Sequence, residues 1–232
     1  MRAATWITGL VLAPYYDPRW SLQVFKAFSL HITHLTLSVQ KPYTILAEFP
    51  KCPQLRHVEL PSPVLRDVAD IFPVLIQSPK LQHLSISHLK VDATGPRCVT
   101  RAQFPLTISP LHTLTLSYIR NAKSLCTLVS SIPTRALSIL FESEDHASDL
   151  RNITGALFSE SAMNRKQGHL KALHLQRSGR NVERSTIEER NIALEALREY
   201  CIRFNVEFKC FFYVSLPFNV LLRAWLIGIY QA

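Results

Sequence analysis

Glycine is nearly missing from this chain: six residues in 232. The nearest pair, Gly168 and Gly179, is eleven positions apart. That spacing excludes G-x-G-x-x-G, G-x-x-x-x-G-K-[ST] and G-x-S-x-G, and with them the common phosphate-cradling loops and nucleophile elbows. The five cysteines (Cys52, Cys98, Cys126, Cys201, Cys210) are odd in number, scattered and never in C-x-x-C spacing. They exclude a disulfide framework or zinc ribbon and read as buried thiols of a reducing compartment. H-E-x-x-H does not occur, and His31-x-x-His34 falls short of a metal motif. Acid is also short, with 17 Asp and Glu against 26 Lys and Arg for a formal charge of +9. The excess is spread along the chain, whereas a nucleic-acid binder concentrates it on one face or arm.

What is present is apolar residue, 47% of the chain, with leucine alone at 33 positions. Wholesale disorder is excluded, and the length suits one domain or two small ones. The leucines repeat. L-x-x-L-x-L, with conservative swaps, occurs as Ile32-Thr-His-Leu35-Thr-Leu37, Leu55-Arg-His-Val58-Glu-Leu60, Leu81-Gln-His-Leu84-Ser-Ile86 and Leu111-His-Thr-Leu114-Thr-Leu116. It continues as Thr134-Arg-Ala-Leu137-Ser-Ile139, Leu170-Lys-Ala-Leu173-His-Leu175 and a last candidate, Cys201-Ile-Arg-Phe204-Asn-Val206. Successive copies lie 23, 26, 30, 23, 36 and 31 residues apart.

Alternation at the fourth and sixth positions predicts a half-buried strand. Helical spacing fills the intervals. Val64, Leu65, Val68, Ile71, Phe72, Leu75 and Ile76 predict one helix, kinked or shortened by Pro73. Leu125, Leu128, Val129 and Ile132 predict another, and Leu150, Ile153 and Leu157 a third. Ser185-Thr-Ile-Glu188 reads as a capping box ahead of Ile187, Leu194, Leu197 and Cys201. Strand then helix, repeated, predicts an α/β solenoid with parallel strands on the concave side and helices on the convex side. A doubly wound sheet would want near-continuous Val/Ile strands and a glycine-rich first turn.

On these motifs, over residues 30–210, the chain resembles the irregular repeat region of fungal F-box/leucine-rich-repeat-like proteins. "CPQLRHVEL", "SPKLQHLSI" and "SPLHTLTLS" each follow a proline-containing turn. The resemblance implies target recognition for an SCF-type ubiquitin ligase. Two features depart from it. The consensus Asn after the third leucine is replaced by Ser38, Pro61, Ser87, Ser117, Leu140 and Gln176, so these turns are held differently. No F-box is recognisable, and residues 1–30 are too few for that module. An SCF adaptor is therefore a partner only if an F-box lies outside this chain.

The organisation read from the sequence is an N-terminal cap or flanking segment (1–30), a leucine-rich-repeat-like domain (31–210) and an apolar tail or cap (211–232). Residues 1–13 are apolar but lack a cleavage site, so they do not read as a signal peptide. Residues 210–230 nearly match a membrane span in length, but Pro217, Asn219 and Arg223 interrupt them. Both ends lose the repeat, which predicts a reading frame truncated in front and extended behind by retained intron sequence.

Third and fifth positions of each strand point out of the concave face. The residues assigned to partner contact are Arg56, His57, Glu59, His83, His112, Arg135, Lys171 and His174. His34, His57 and His83 should stack in a column. Glu142, Glu144, Asp145 and Asp149 cluster after the fifth copy and read as solvated helix-start charges rather than an acid–base pair. Tyr43, Phe104 and Tyr118 are packing or anchor residues. The expectation is a non-enzymatic interaction scaffold for a protein target, intracellular in the cytoplasm or nucleus, without cofactor, metal or small-molecule substrate. The alternatives are a tail-anchored protein, or a nucleic-acid binder using the basic stretch 165–184 (Arg165, Lys166, Lys171, Arg177, Arg180, Arg184).

Overall fold

A computed structural model describes residues 7–13, 18–39, 42–91, 109–119, 122–141, 146–158, 169–178 and 184–213. The elements, in chain order, are β1 (Gly9–Leu12), α1 (Pro18–Phe28), β2 (His34–Leu37), α2 (Tyr43–Ala47), β3 (His57–Pro61) and β4 (Val64–Leu65). A 3-10 turn (Val68–Ile71), α3 (Phe72–Gln77), β5 (His83–Ser87), β6 (Lys90–Val91), β7 (Leu111–Ser117) and α4 (Ala122–Ser131) follow. The last are β8 (Thr134–Phe141), α5 (His146–Phe158), β9 (Ala172–Ser178), α6 (Arg184–Arg203) and β10 (Glu207–Tyr213).

The protein is α/β, with an eight-stranded sheet in the order β1-β2-β3-β5-β7-β8-β9-β10 and every described pairing parallel. Spatial order follows chain order. Register is constant: Leu10, Leu35, Val58, Leu84, Leu114, Leu137, Leu173 and Phe208 form one row across the sheet. Leu12, Leu37, Leu60, Ile86, Leu116, Ile139, Leu175 and Cys210 form a second.

Both rows face one way. Between β2 and β9 their members are at most 2% exposed, and they share one cluster with Phe25, Ile45, Leu75, Leu128, Ile153 and Leu197 of the helices. Burying each such side chain contributes roughly 1.5–3 kcal/mol before entropic costs. The residues between them on the strands are nowhere buried. Parallel sheets are ordinarily covered on both faces; here the described helices cover the leucine face, and among the described residues none packs on the other.

The turns explain how the register is kept without the missing asparagine. Cys52-Pro-Gln-Leu55 and Ser78-Pro-Lys-Leu81 close when the Leu55 and Leu81 N–H groups donate to the Cys52 and Ser78 carbonyls (3.2 and 3.0 Å). Proline presets φ at the second turn position. The Cys52 N–H donates to the Gln77 carbonyl and Lys80 Nζ to Gln54 Oε1, both at 2.9 Å, which clamps one turn to the next. At the strand exits Ser62, His88 and Tyr118 take φ of 55°, 52° and 56°. Each swings its N–H to the following strand, onto the carbonyls of Ser87, Ser117 and Leu140 (2.7, 2.9 and 2.8 Å).

Several sequence expectations change. Val64 and Leu65 are not helical; they form β4, pairing with Lys90 and Val91 of β6. Pro73 shortens the expected helix without kinking it: α3 starts at Phe72, with the proline in its first turn, where its missing N–H costs nothing. The seventh motif copy belongs to α6 and its cap, not to a strand. Asn205 (φ 53°) ends that helix: its N–H donates to the Ile202 carbonyl at 3.1 Å and the Val206 N–H to the Cys201 carbonyl at 2.8 Å, a Schellman pair. The strand positions fall instead on Phe208 and Cys210. A copy in front, Ile7-Thr-Gly-Leu10-Val-Leu12, supplies β1, so the sheet starts before residue 31 and runs past 210. Helix α6 begins at Arg184, ahead of the expected Ser185 cap.

Among the described residues no helix is long and apolar enough to cross a membrane. Cys52, Cys126, Cys201 and Cys210 are free thiols; Cys98 lies outside the described residues. Burial pushes Cys52 up to about 12 and Cys201 and Cys210 to about 11, so these three stay protonated near neutral pH.

Candidate functional site

The open face carries two rows of its own. The first runs His34, His57, His83, Thr113, Ala136, Ala172 and Glu207, and the second Thr36, Glu59, Ser85, Thr115, Ser138, His174 and Lys209. Constant parallel register places like positions in line, at the strand spacing of about 4.8 Å.

At one end the histidine column forms. The His34 and His57 rings stack with centroids 4.4 Å apart at 5°, and His57 and His83 at 4.2 Å and 9°. His112, at the start of β7, closes the column edge-on to His83 at 6.1 Å and 82°. Thr33 Oγ1 shares a hydrogen bond with His34 Nδ1 at 2.8 Å. His57 Nδ1 is out of solvent contact without a hydrogen-bond partner among the described residues. Burial, then the neighbouring imidazoles His83 and His34, hold His57 below its ordinary pKa against the opposing pull of Glu59; Arg56 pushes the same way as burial. His83 is lowered by burial, then by His112 and His34. Both favour the neutral ring at pH 7.

Face-to-face stacking sets the ring nitrogens side by side instead of converging them on a point. Among the described residues no group of three or more His, Cys, Asp or Glu could hold a metal ion. Glu59 accepts a long hydrogen bond from the Thr36 hydroxyl (3.4 Å).

At the other end the open face is cationic. Arg135, Lys171 and Lys209 are exposed on β8, at the start of β9 and on β10. Lys209 pairs with Glu207 at 2.7 Å; that hydrogen bond, then the Lys209 charge and more weakly His174, hold the Glu207 carboxyl below its ordinary pKa. His174 lies between Ser138 and Lys209, its Nε2 buried and without a described partner.

The eight residues assigned to partner contact therefore fall into two groups. Arg56, just ahead of β3, lies with His57, Glu59, His83 and His112 of β3, β5 and β7. Arg135 and His174 lie on β8 and β9, with Lys171 just ahead of β9. Lys209 and Glu207 escaped the sequence reading because the motif on β10 was placed too early. A further pair was also missed: the left-handed His88 and Tyr118 stack at 4.6 Å and 10° beyond the strand exits. Tyr43 carries the Arg66 guanidinium over its ring at 4.1 Å. Phe104 and Glu142, Glu144 and Asp145 lie outside the described residues, as do Arg165, Lys166 and Arg180 and residues 214–232. So do the side chains of Asp149, Arg177 and Arg184.

No family model, curated protein or solved structure matches this chain.

Proposed function

We propose that the chain is a non-enzymatic interaction module, a leucine-rich-repeat-like solenoid that holds a protein partner on its open sheet face. The observation that carries this reading is a parallel sheet that the described helices cover on one side only. Strands in chain order, constant register and helices on a single face are what stacked strand–helix repeats produce. A polar surface several strands wide, preset by the buried leucines, meets a partner with little ordering of its own. By resemblance, the role is target recognition for an SCF-type ubiquitin ligase, an SCF adaptor being a partner only if an F-box lies outside this chain.

The test is affinity capture with the wild type and the His57→Ala/His83→Ala double variant side by side. Loss of the captured protein, with unchanged circular dichroism, supports the reading. Equal capture by both rejects the histidine end as the contact surface.

A further inference from the structure

The open face is unevenly charged. Lys209 is its cation, and Arg56, Arg135 and Lys171 are exposed at the strand entries beside it; Glu59 and Glu207 are its only described carboxylates, the second already bridged by Lys209. Arg56, Arg135 and Lys171 form no ion pair among the described residues. They share one rim, the residue just ahead of the first open row, which reads Arg56, Gln82, His112, Arg135 and Lys171 on adjacent strands. Four strand steps make this rim about 19 Å long. The histidine column runs alongside it. His57 faces His34 from β2, His83 from β5 and Glu59 and Arg56 from its own strand; His83 faces His57 and, from β7, His112.

We propose that this rim docks an acidic peptide segment of about six extended residues, laid across β3 to β9, and that docking draws protons onto the histidine column. The proposal rests on reading the open face as an interaction surface and names its partner class. Carboxylates along the rim meet cations there with Glu59 as the only described unbridged carboxylate opposing them. They also add negative charge to the single described carboxylate, Glu59, that faces the column, so imidazolium becomes favourable in the complex. Burial and neighbouring imidazoles keep His57 and His83 neutral in the free protein. The complex thus binds more protons than the free protein, and affinity rises as pH falls through the range below 7. Each unit by which docking raises a histidine pKa is worth about tenfold in affinity.

The experiment is fluorescence anisotropy at low salt with three labelled octapeptides, one of Asp and Glu, one of Lys, and one of Gly and Ser. Each is titrated at pH 7.5 and 5.5. The acidic peptide should bind about tenfold tighter at pH 5.5. His57→Gln/His83→Gln should remove that difference, and Arg135→Glu/Lys171→Glu should weaken binding at both pH values. If the double histidine variant does not fold, His83→Gln alone is read. Acidic binding that ignores pH, or ignores the Arg135/Lys171 reversal, overturns the proposal. Binding of the lysine or neutral peptide instead overturns the acidic class and leaves the interaction face standing. Failure of all three overturns the proposal too, while the capture experiment judges the broader reading by a separate readout.

Discussion

Each strand of this sheet shows two different surfaces, and they follow different rules. On the covered face almost any aliphatic residue serves: Leu35, Val58, Leu84, Leu114, Leu137 and Leu173 hold one row and are interchangeable in kind. On the open face the same strands carry His, Thr, Ala, Glu, Ser and Lys, and composition changes from the β2 end to the β10 end. One face is set by volume and repetition and the other by local chemistry. From the first open row onward, a substitution should therefore disturb stability or recognition according to the parity of its position.

The sharpest way to break this contrast is a pair of neighbours on β7. Leu114→Ala removes a fully buried side chain and should cost about 2–5 kcal/mol by chemical denaturation. Thr115→Ala, one residue on and facing out, should cost less than about 1 kcal/mol. Comparable losses at the two sites would show that the open face is packed after all.

Acid gives an intermediate effect. The folded state holds His57 and His83 below their unfolded pKa, so the unfolded chain takes up more protons. Their contribution to stability is complete above the unfolded pKa of about 6.5 and is lost as pH falls from there through the folded pKa. Urea midpoints should drop between pH 7.5 and 5.5, and His57→Asn/His83→Asn should flatten the slope. An identical slope in that variant would place the acid sensitivity elsewhere.

The smallest effect concerns the strand exits. Ser62 is exposed and left-handed, at φ 55°. Ser62→Gly should raise stability by up to about 1 kcal/mol, the relieved strain less the entropy glycine adds to the unfolded chain. A loss would mean that the serine side chain holds the exit in place.

The covered face was readable in advance because its signal is periodic: six L-x-x-L-x-L copies fall on β2, β3, β5, β7, β8 and β9. The histidine column followed from equal positions in equal repeats. What escaped was non-local or lay at the margins. Val64 and Leu65 have helical neighbours, and only pairing with a segment 26 residues on makes them a strand. Leu10 and Leu12 carry the motif, but the apolar start of the chain hid it. On β10 aromatics and a cysteine replace leucine, and the shift to Phe208 is set by where Asn205 ends the helix. The left-handed Ser62, His88 and Tyr118 show no glycine signature, so nothing local announced them.

Strand order equal to chain order also fixes how the molecule would respond to load. Pulled from its two ends, the sheet is stressed at β1 and β10, its outermost strands. Force then acts across the ladders and opens them bond by bond, as a zipper opens, instead of shearing a whole strand at once. With core rows 23 to 36 residues apart, each detached strand–helix segment would release about 80–130 Å of chain. Extension would come in unequal steps, its spacing a record of the loops between strands.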